Sequence, residues 1–314
     1  MAYRLSIDDD VAAGVRACAR EQLAGAAARL ERAGDDPVTA VHEARKHLKK
    51  TRALLRLARP ALGGRAYRRE NDALREIALA LSATRDADVL VQTAAALAEH
   101  AAGRLPAETF EQLRAALAAE AADGRGDGRA VPVFDALIAE LRAAELRVES
   151  WPLDGADWAD LLAGAVRAYA RGRDAFAVAR AEPTPESLHA WRKRAKDLWY
   201  QQRLLAPAWP GVLDAQAEEA HALTELLGDD HDLAVLAARL ADGAPPLAPV
   251  VDAQRAELRA LVAHREEELR AAAVRLGGRV YVEKPKAFAR RLERYVRTAL
   301  AEQRAGEPAL PEPD

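Results

Sequence analysis

Apolar residues recur every three or four positions along nearly the whole chain, and that spacing restricts the backbone to helices. Ala and Leu fill these positions, while the β-branched and aromatic residues that strands favour are scarce. The spacing predicts an all-α protein. Helices are expected at about 8–33, from Pro37 to Pro60 and Gly63-Gly64, and at about 66–82. A further helix should run from a cap at Ser82 or Thr84 to His100, followed by helices at about 106–122 and 132–148. Asp36 should cap the second helix, with Pro37 in its first turn. Gly124–Arg129 reads as a loop.

After Trp151-Pro152 and Gly155 the pattern restarts. Val15-Arg16-Ala17-Cys18-Ala19-Arg20 matches Val166-Arg167-Ala168-Tyr169-Ala170-Arg171, and His42-x-x-Arg45-Lys46-x-x-Lys49 matches His189-x-x-Arg192-Lys193-x-x-Lys196. Asp36-Pro37 matches Thr184-Pro185, Arg56 matches Arg203, Pro60 matches Pro207, and Arg85-Asp86-x-x-Val89-Leu90 matches His231-Asp232-x-x-Val235-Leu236. All lie 146 to 151 residues apart and in the same order, which argues for an internal duplication. The expected organisation is one domain over 1–304, made of two helical bundles (1–150 and 151–304). Residues 305–314, ending GEPALPEPD, are expected to form a disordered tail. A duplication favours pseudo-two-fold packing, with matched helices lining one basic groove.

The 314 residues carry a net charge of −3, but the charge is segregated. His42–Arg59 sums to +6, His189–Arg203 to +4 and Lys284–Arg297 to +5, leaving −18 for the rest. Charge gathered in this way points to an anion. On a helical wheel His42, Arg45, Lys49, Arg52 and Arg56 fall within an arc of about 80°, along ~21 Å of axis. Val41, Ala44, Leu48, Leu55 and Ala58 fill the neighbouring arc, so the stripe borders the core and should line a groove. His189, Arg192, Lys196 and Arg203 repeat it, with Trp199 in place of Arg52. An ordinary solvated face mixes both signs; this one does not. Removing Arg45, Lys49 and Arg56 together should therefore weaken anion binding and leave the melting temperature unchanged or raised. Ala53 is expected on the outer face.

The anion should be extended and highly charged. No Gly-rich phosphate loop or dinucleotide fingerprint is present. Nucleic acid would want stacking aromatics between the cations, and only Trp199 and Tyr200 lie near a stripe. An unbranched phosphate polymer needs only positive charge and donors.

The segments VHEARKHLKKTRALLRL, LSATRDADVL, LHAWRKRAKDLWYQQRLL, LLGDDHDLAVL and EKPKAFARRLERY together resemble the CHAD family, the conserved histidine α-helical domain. They span about 8–300. The resemblance implies a compact pair of helical bundles that binds inorganic polyphosphate. The implied contacts are His42, Arg45, Lys46, Lys49, Arg52, Arg56, His189, Arg192, Lys193, Lys196, Arg203, Lys284, Lys286, Arg290 and Arg291. It also implies association with polyphosphate granules and their proteins. The triphosphatase-type CYTH domain of some members is not expected, because no β-rich segment with an EExExK-like motif occurs. This chain has His47 where its second half has Arg194, so the halves need not contribute equally.

Other chemistries have weaker support. His42 and His189 are either buried, hydrogen-bonded histidines or phosphate donors. Asp86 and Asp232 are expected to orient basic side chains or to cap helices, not to bind metal. The Asp229-Asp230-x-Asp232 cluster faintly suggests a diphosphate–Mg site but is not repeated in the first half. No nucleophile motif is present, and Cys18 matches Tyr169, a packing position. A non-catalytic binder without cofactor is expected. The alternatives are a metal-dependent polyphosphate or phosphate-ester processing enzyme and a His phosphorelay module built on His42-Glu43-x-Arg45. One cysteine, no apolar run of the ~18 residues a membrane span requires, and an N-terminus without a signal-peptide stretch make a cytoplasmic location the expectation.

Overall fold

The computed structural model describes residues 3–8, 10–34, 36–81, 86–126, 134–241 and 243–306, with backbone alone for 86–88 and 123–126. Among these every regular element is helical, as the apolar spacing predicts. In order they are α1 (Val11–Glu31), α2 (Pro37–Leu57), α3 (Arg59–Ala80), α4 (Asp86–His100), α5 (Ala107–Gly126) and α6 (Phe134–Arg147). A 3-10 turn at Val148–Ser150 leads to α7 (Trp158–Ala181) and α8 (Pro185–Leu205). A second, at Ala206–Ala208, leads to α9 (Pro210–Arg239), α10 (Pro249–Ala253), α11 (Arg255–Val280) and α12 (Pro285–Ala305).

Local chemistry sets most boundaries. Asp36 accepts the Thr39 N–H, and Asp157 and Thr184 form reciprocal caps with Asp160 and Ser187. Three expectations are corrected. Pro60 does not end a helix: α2 stops at Leu57, and Pro60 sits in the first turn of α3, where its missing N–H costs nothing. The break comes at Gly63, whose φ of 72° only glycine adopts freely. Gly124–Gly126 continue α5, because a glycine weakens a helix by only about 1 kcal/mol; 127–129 lie outside the described residues. Ala305 is helical and Gly306, at φ 75°, is the left-handed cap of α12, while 307–314 lie outside the described residues, as do Ser82 and Thr84.

Buried apolar side chains form two clusters. The larger gathers α1, α2, α3 and α6–α8 with parts of α9, α11 and α12, around Leu48, Leu54, Leu55, Tyr169 and Trp191. The smaller joins α4 and α5 to the last turns of α9, to α10 and to α11, through Leu97, Leu113, Leu236, Val251 and Val262. Both clusters draw on residues from each side of the restart near Trp151. α2 packs on α1, α3, α7 and α8. It is thus an interior helix, and the charges it carries are placed in seams between helices.

Candidate anion-binding site

Val41, Ala44, Leu48, Leu55 and Ala58 are buried, as the wheel predicts. The stripe beside them runs along the seam between α2 and the antiparallel α3. Arg45 Nη1 donates to the Ala78 carbonyl at 3.0 Å and Arg52 Nε to Asn71 Oδ1 at 3.2 Å. His42, Arg45, Lys49, Arg52 and Arg56 are all half-buried, whereas Lys46 is exposed and bonds Glu43 at 2.7 Å. His47 turns away to α1, where Nδ1 meets Gln22 Oε1 at 2.9 Å. A Cβ at Gly25 would come within 2.6 Å of its ring.

Ala53 is not on an outer face. It is fully buried, and its carbonyl accepts from Gln201 Nε2 on α8 at 3.4 Å. A wheel drawn for one neighbour shows one apolar arc; α2 has several neighbours, and the alanine lets α8 approach on the second side.

The second stripe follows the seam between α8 and α9. Arg192 lies flat on Gly228, where a Cβ would stand 2.9 Å from its Nη2. The His189 ring is 4.7 Å from that of His231, and its buried Nδ1 has no hydrogen-bond partner. Burial, then Lys193, His231 and Arg192, push its pKa down to about 4, so at neutral pH it is uncharged. Lys193 is exposed and Lys196 half-buried. Trp199 is held between Tyr200 and His221, at centroid distances of 4.4 and 4.0 Å, and Arg203 stands 5.8 Å over its ring.

Where α2 crosses α8, the ends of the two stripes stand on opposite flanks. On one flank Arg56 Nη1 bonds Asp197 Oδ1 at 3.0 Å, and Arg194 Nη1 bonds Asp197 Oδ2 at 3.1 Å. Asp197 is buried; desolvation raises its pKa, and Arg56 and Arg194 pull it back. On the other flank stand Lys50 and Arg203, with the buried Tyr3 ring 5.5 and 6.0 Å from their charged groups. Tyr3 Oη donates to the Lys50 carbonyl at 2.7 Å. Burial and then Arg203 lower the Lys50 pKa. This geometry corrects the expectation that Arg56 can be removed without cost to the fold, since Arg56 neutralises a buried carboxylate.

The third basic run is set apart. α12 packs on α7 and on the Ala206–Ala208 turn. Arg291 is held by Glu283 at 2.7 Å and by Gln216 at 3.2 Å, while Lys284, Lys286 and Arg290 are exposed. Asp232 sits deep inside α9 and so caps no helix; it lines a cleft with Asp229 and Arg265. The side chain of Asp86 lies outside the described residues. Cys18 is buried and its thiol is pushed up to about 12, as a packing position should be. Among the described residues no three His, Cys, Asp or Glu converge as metal ligands, and no helix is long and apolar enough to cross a membrane.

Sequence reasoning missed Arg59, Arg167, Arg171 and Arg194, which join Arg56 and Asp197 around one cleft. The family model described as CHAD domain matches residues 17–241. The match includes α2, α3, α7, α8 and α9 and stops before α11 and α12. No curated protein and no solved structure matches the chain.

Proposed function

The chain belongs to the CHAD domain family, and from that premise we propose that it binds inorganic polyphosphate along the stripes of α2 and α8. The observation that carries this reading is that both one-sign stripes lie half-buried in helix seams, the first between α2 and α3 and the second between α8 and α9. Several of these cations face neutral partners: Arg52 an amide oxygen, Arg203 two aromatic rings. The charges of Arg52 and Arg203 are held in place by these contacts but not cancelled by them. Half-burial also lowers the local dielectric, which strengthens each contact relative to a lysine waving in solvent.

Selection against nucleic acid follows from the aromatics. Tyr200 is buried, and Trp199 already has a ring on each side, so neither offers a free face to a base. The reading is of a binder that does not turn its ligand over, without cofactor, soluble in the cytoplasm and carried on polyphosphate granules. Lys284, Lys286 and Arg290 are exposed where α12 faces solvent, and they add long-range attraction rather than built contacts.

The test is a titration with long-chain polyphosphate at about 50 and about 200 mM salt. Counterion release predicts at least about a hundred-fold weaker binding at the higher salt for a handful of phosphate contacts. An affinity that does not move with salt would refute the electrostatic account. Orthophosphate release in the presence of Mg²⁺ or Mn²⁺ would show turnover and make the chain an enzyme.

A further inference from the structure

The cleft at the Arg56 end of the first stripe differs in chemistry from the stripes. Its cations are all arginines: Arg56 and Arg59 from the α2–α3 junction, Arg167 and Arg171 from α7, and Arg194 from α8. The stripes mix Arg with Lys46, Lys49, Lys193 and Lys196. Lysine supplies a point charge to a passing polymer, whereas the planar guanidinium fork holds two oxygens of one oxyanion. Five guanidinium groups face one carboxylate, Asp197. That carboxylate fixes Arg56 and Arg194 through one nitrogen each. Arg59 lies over the Tyr67 ring at 4.7 Å, which orients its fork as well.

The backbone is shaped to bring these groups together. A Cβ at Gly164 would lie 1.9 Å from the Leu57 carbonyl oxygen, so α7 touches the end of α2 there through glycine alone. Arg167 and Arg171 follow on the same face, one and two turns on. Their matched residues in the first half are neutralised: Arg16 bonds Asp154 at 3.1 Å and Arg20 pairs with Glu149. Arg167 and Arg171 make no ion pair among the described residues, and both are exposed at the mouth of the cleft.

We propose that this cleft is a site for a terminal phosphate group, dianionic and bonded through one oxygen only. Such a group carries a second negative charge and a third free oxygen that an internal phosphate of a polymer lacks. Two sources supply it, free diphosphate and the end of a polyphosphate chain; the chain-end source rests on the polyphosphate reading above, and the diphosphate source does not. The arrangement makes the protein sensitive to chain ends, with the α2 seam leading away from the anchored terminus.

The experiment is calorimetric titration of the full chain and of the Arg167→Gln/Arg171→Gln variant with diphosphate. Short polyphosphate of one length follows, with its ends free or capped as amidates. Both substituted residues are exposed, so the melting temperature of the unliganded variant should match that of the parent. The expected result is diphosphate binding at least ten-fold weaker in the variant, with the same loss for free-ended polyphosphate and no change for capped chains. Loss with diphosphate but equal affinity for free and capped chains supports the cleft and assigns it to free diphosphate. Equal diphosphate affinity in parent and variant overturns the proposal. Polyphosphate binding by the parent with no diphosphate binding also overturns it and leaves the groove reading standing, whereas failure of both ligands overturns the two together.

Discussion

Replacing Arg56 by alanine separates the binding role of the stripe from its structural role. The Asp197 carboxylate is buried and accepts from Arg56 at 3.0 Å and from Arg194 at 3.1 Å. Breaking a buried pair by removing one partner costs about 3–5 kcal/mol when nothing else compensates the remaining charge. Here Arg194 remains and the Arg56 side chain is 23% exposed, so the expected loss is smaller, about 2 kcal/mol. For a chain of this length that corresponds to a melting temperature lower by about 3 °C. Adding Asp197→Asn removes the stranded charge and should recover at least half of the loss. Lys193→Ala, at an exposed position of the second basic helix, should stay within about 0.5 kcal/mol of the parent. Thermal and urea unfolding of the parent, Arg56→Ala, Asp197→Asn, the double variant and the lysine control, five proteins followed by circular dichroism, form a double-mutant cycle with one control. An Arg56→Ala protein as stable as the parent, or a double variant that recovers nothing, would refute the argument that Asp197 depends on Arg56.

His189 is held neutral by burial and by its basic neighbours, with a pKa of about 4, and a bound polyanion should return it toward its ordinary value of about 6.5. Binding then takes up a proton, so affinity should rise up to about ten-fold between pH 7.5 and 5.5, and His189→Gln should flatten that slope in the same titrations. In the free protein the sign is reversed: between those two pKa values the unfolded chain holds a proton there that the folded chain does not. Acidification across that window therefore lowers stability, and unfolding curves of the parent and of His189→Gln should converge as pH falls. Gly164→Ala drives a methyl group into the Leu57 carbonyl and should cost about 3 kcal/mol or more, read as a lower urea midpoint. Lys49→Ala and Lys196→Ala should each reduce the slope of log affinity against log salt by about 1 if they contact phosphate.

The parts of this molecule legible in the sequence are those written within a few residues. Caps at Asp36 and Thr184, the buried arc of α2 and the restart near Trp151 all follow from local chemistry, and the structure has the first three where expected. Pro60 misled because proline suits the residue after one helix and the first turn of the next equally well. Ala53 misled because alanine is silent in an apolar pattern, and it is alanine's size that admits α8. The arginine cleft was illegible because Arg56, Arg171 and Arg194 come from three helices, and each reads alone as a solvated charge. Two signals were available. Asp197 is the only acid in its basic window, and Gly164 sits in a helix interior, one and two turns before Arg167 and Arg171.

The crossing of α2 and α8 shows how such a site coexists with a stable fold. Arg56 meets Asp197 on one flank; on the other Arg203 meets Lys50, and each of these partners lies 147 residues from its match. A carboxylate in one half thus stands where the other has an ammonium group. Two facing cations need something between them, and the chain supplies Tyr3, whose ring lies 5.5 Å from Lys50 Nζ and 6.0 Å from the Arg203 guanidinium. A ring face attracts cations by about 0.5–2 kcal/mol without bearing a net charge. Tyr3 therefore moderates the repulsion without neutralising either cation, while Asp197 cancels one charge to fix two guanidinium groups in place. The same crossing yields a partly neutralised arginine cleft on one side and a pair of cations across a tyrosine ring on the other. If the chain binds a polyanion as proposed, shape recognition falls to the Arg56 flank and charge attraction to the Lys50 flank.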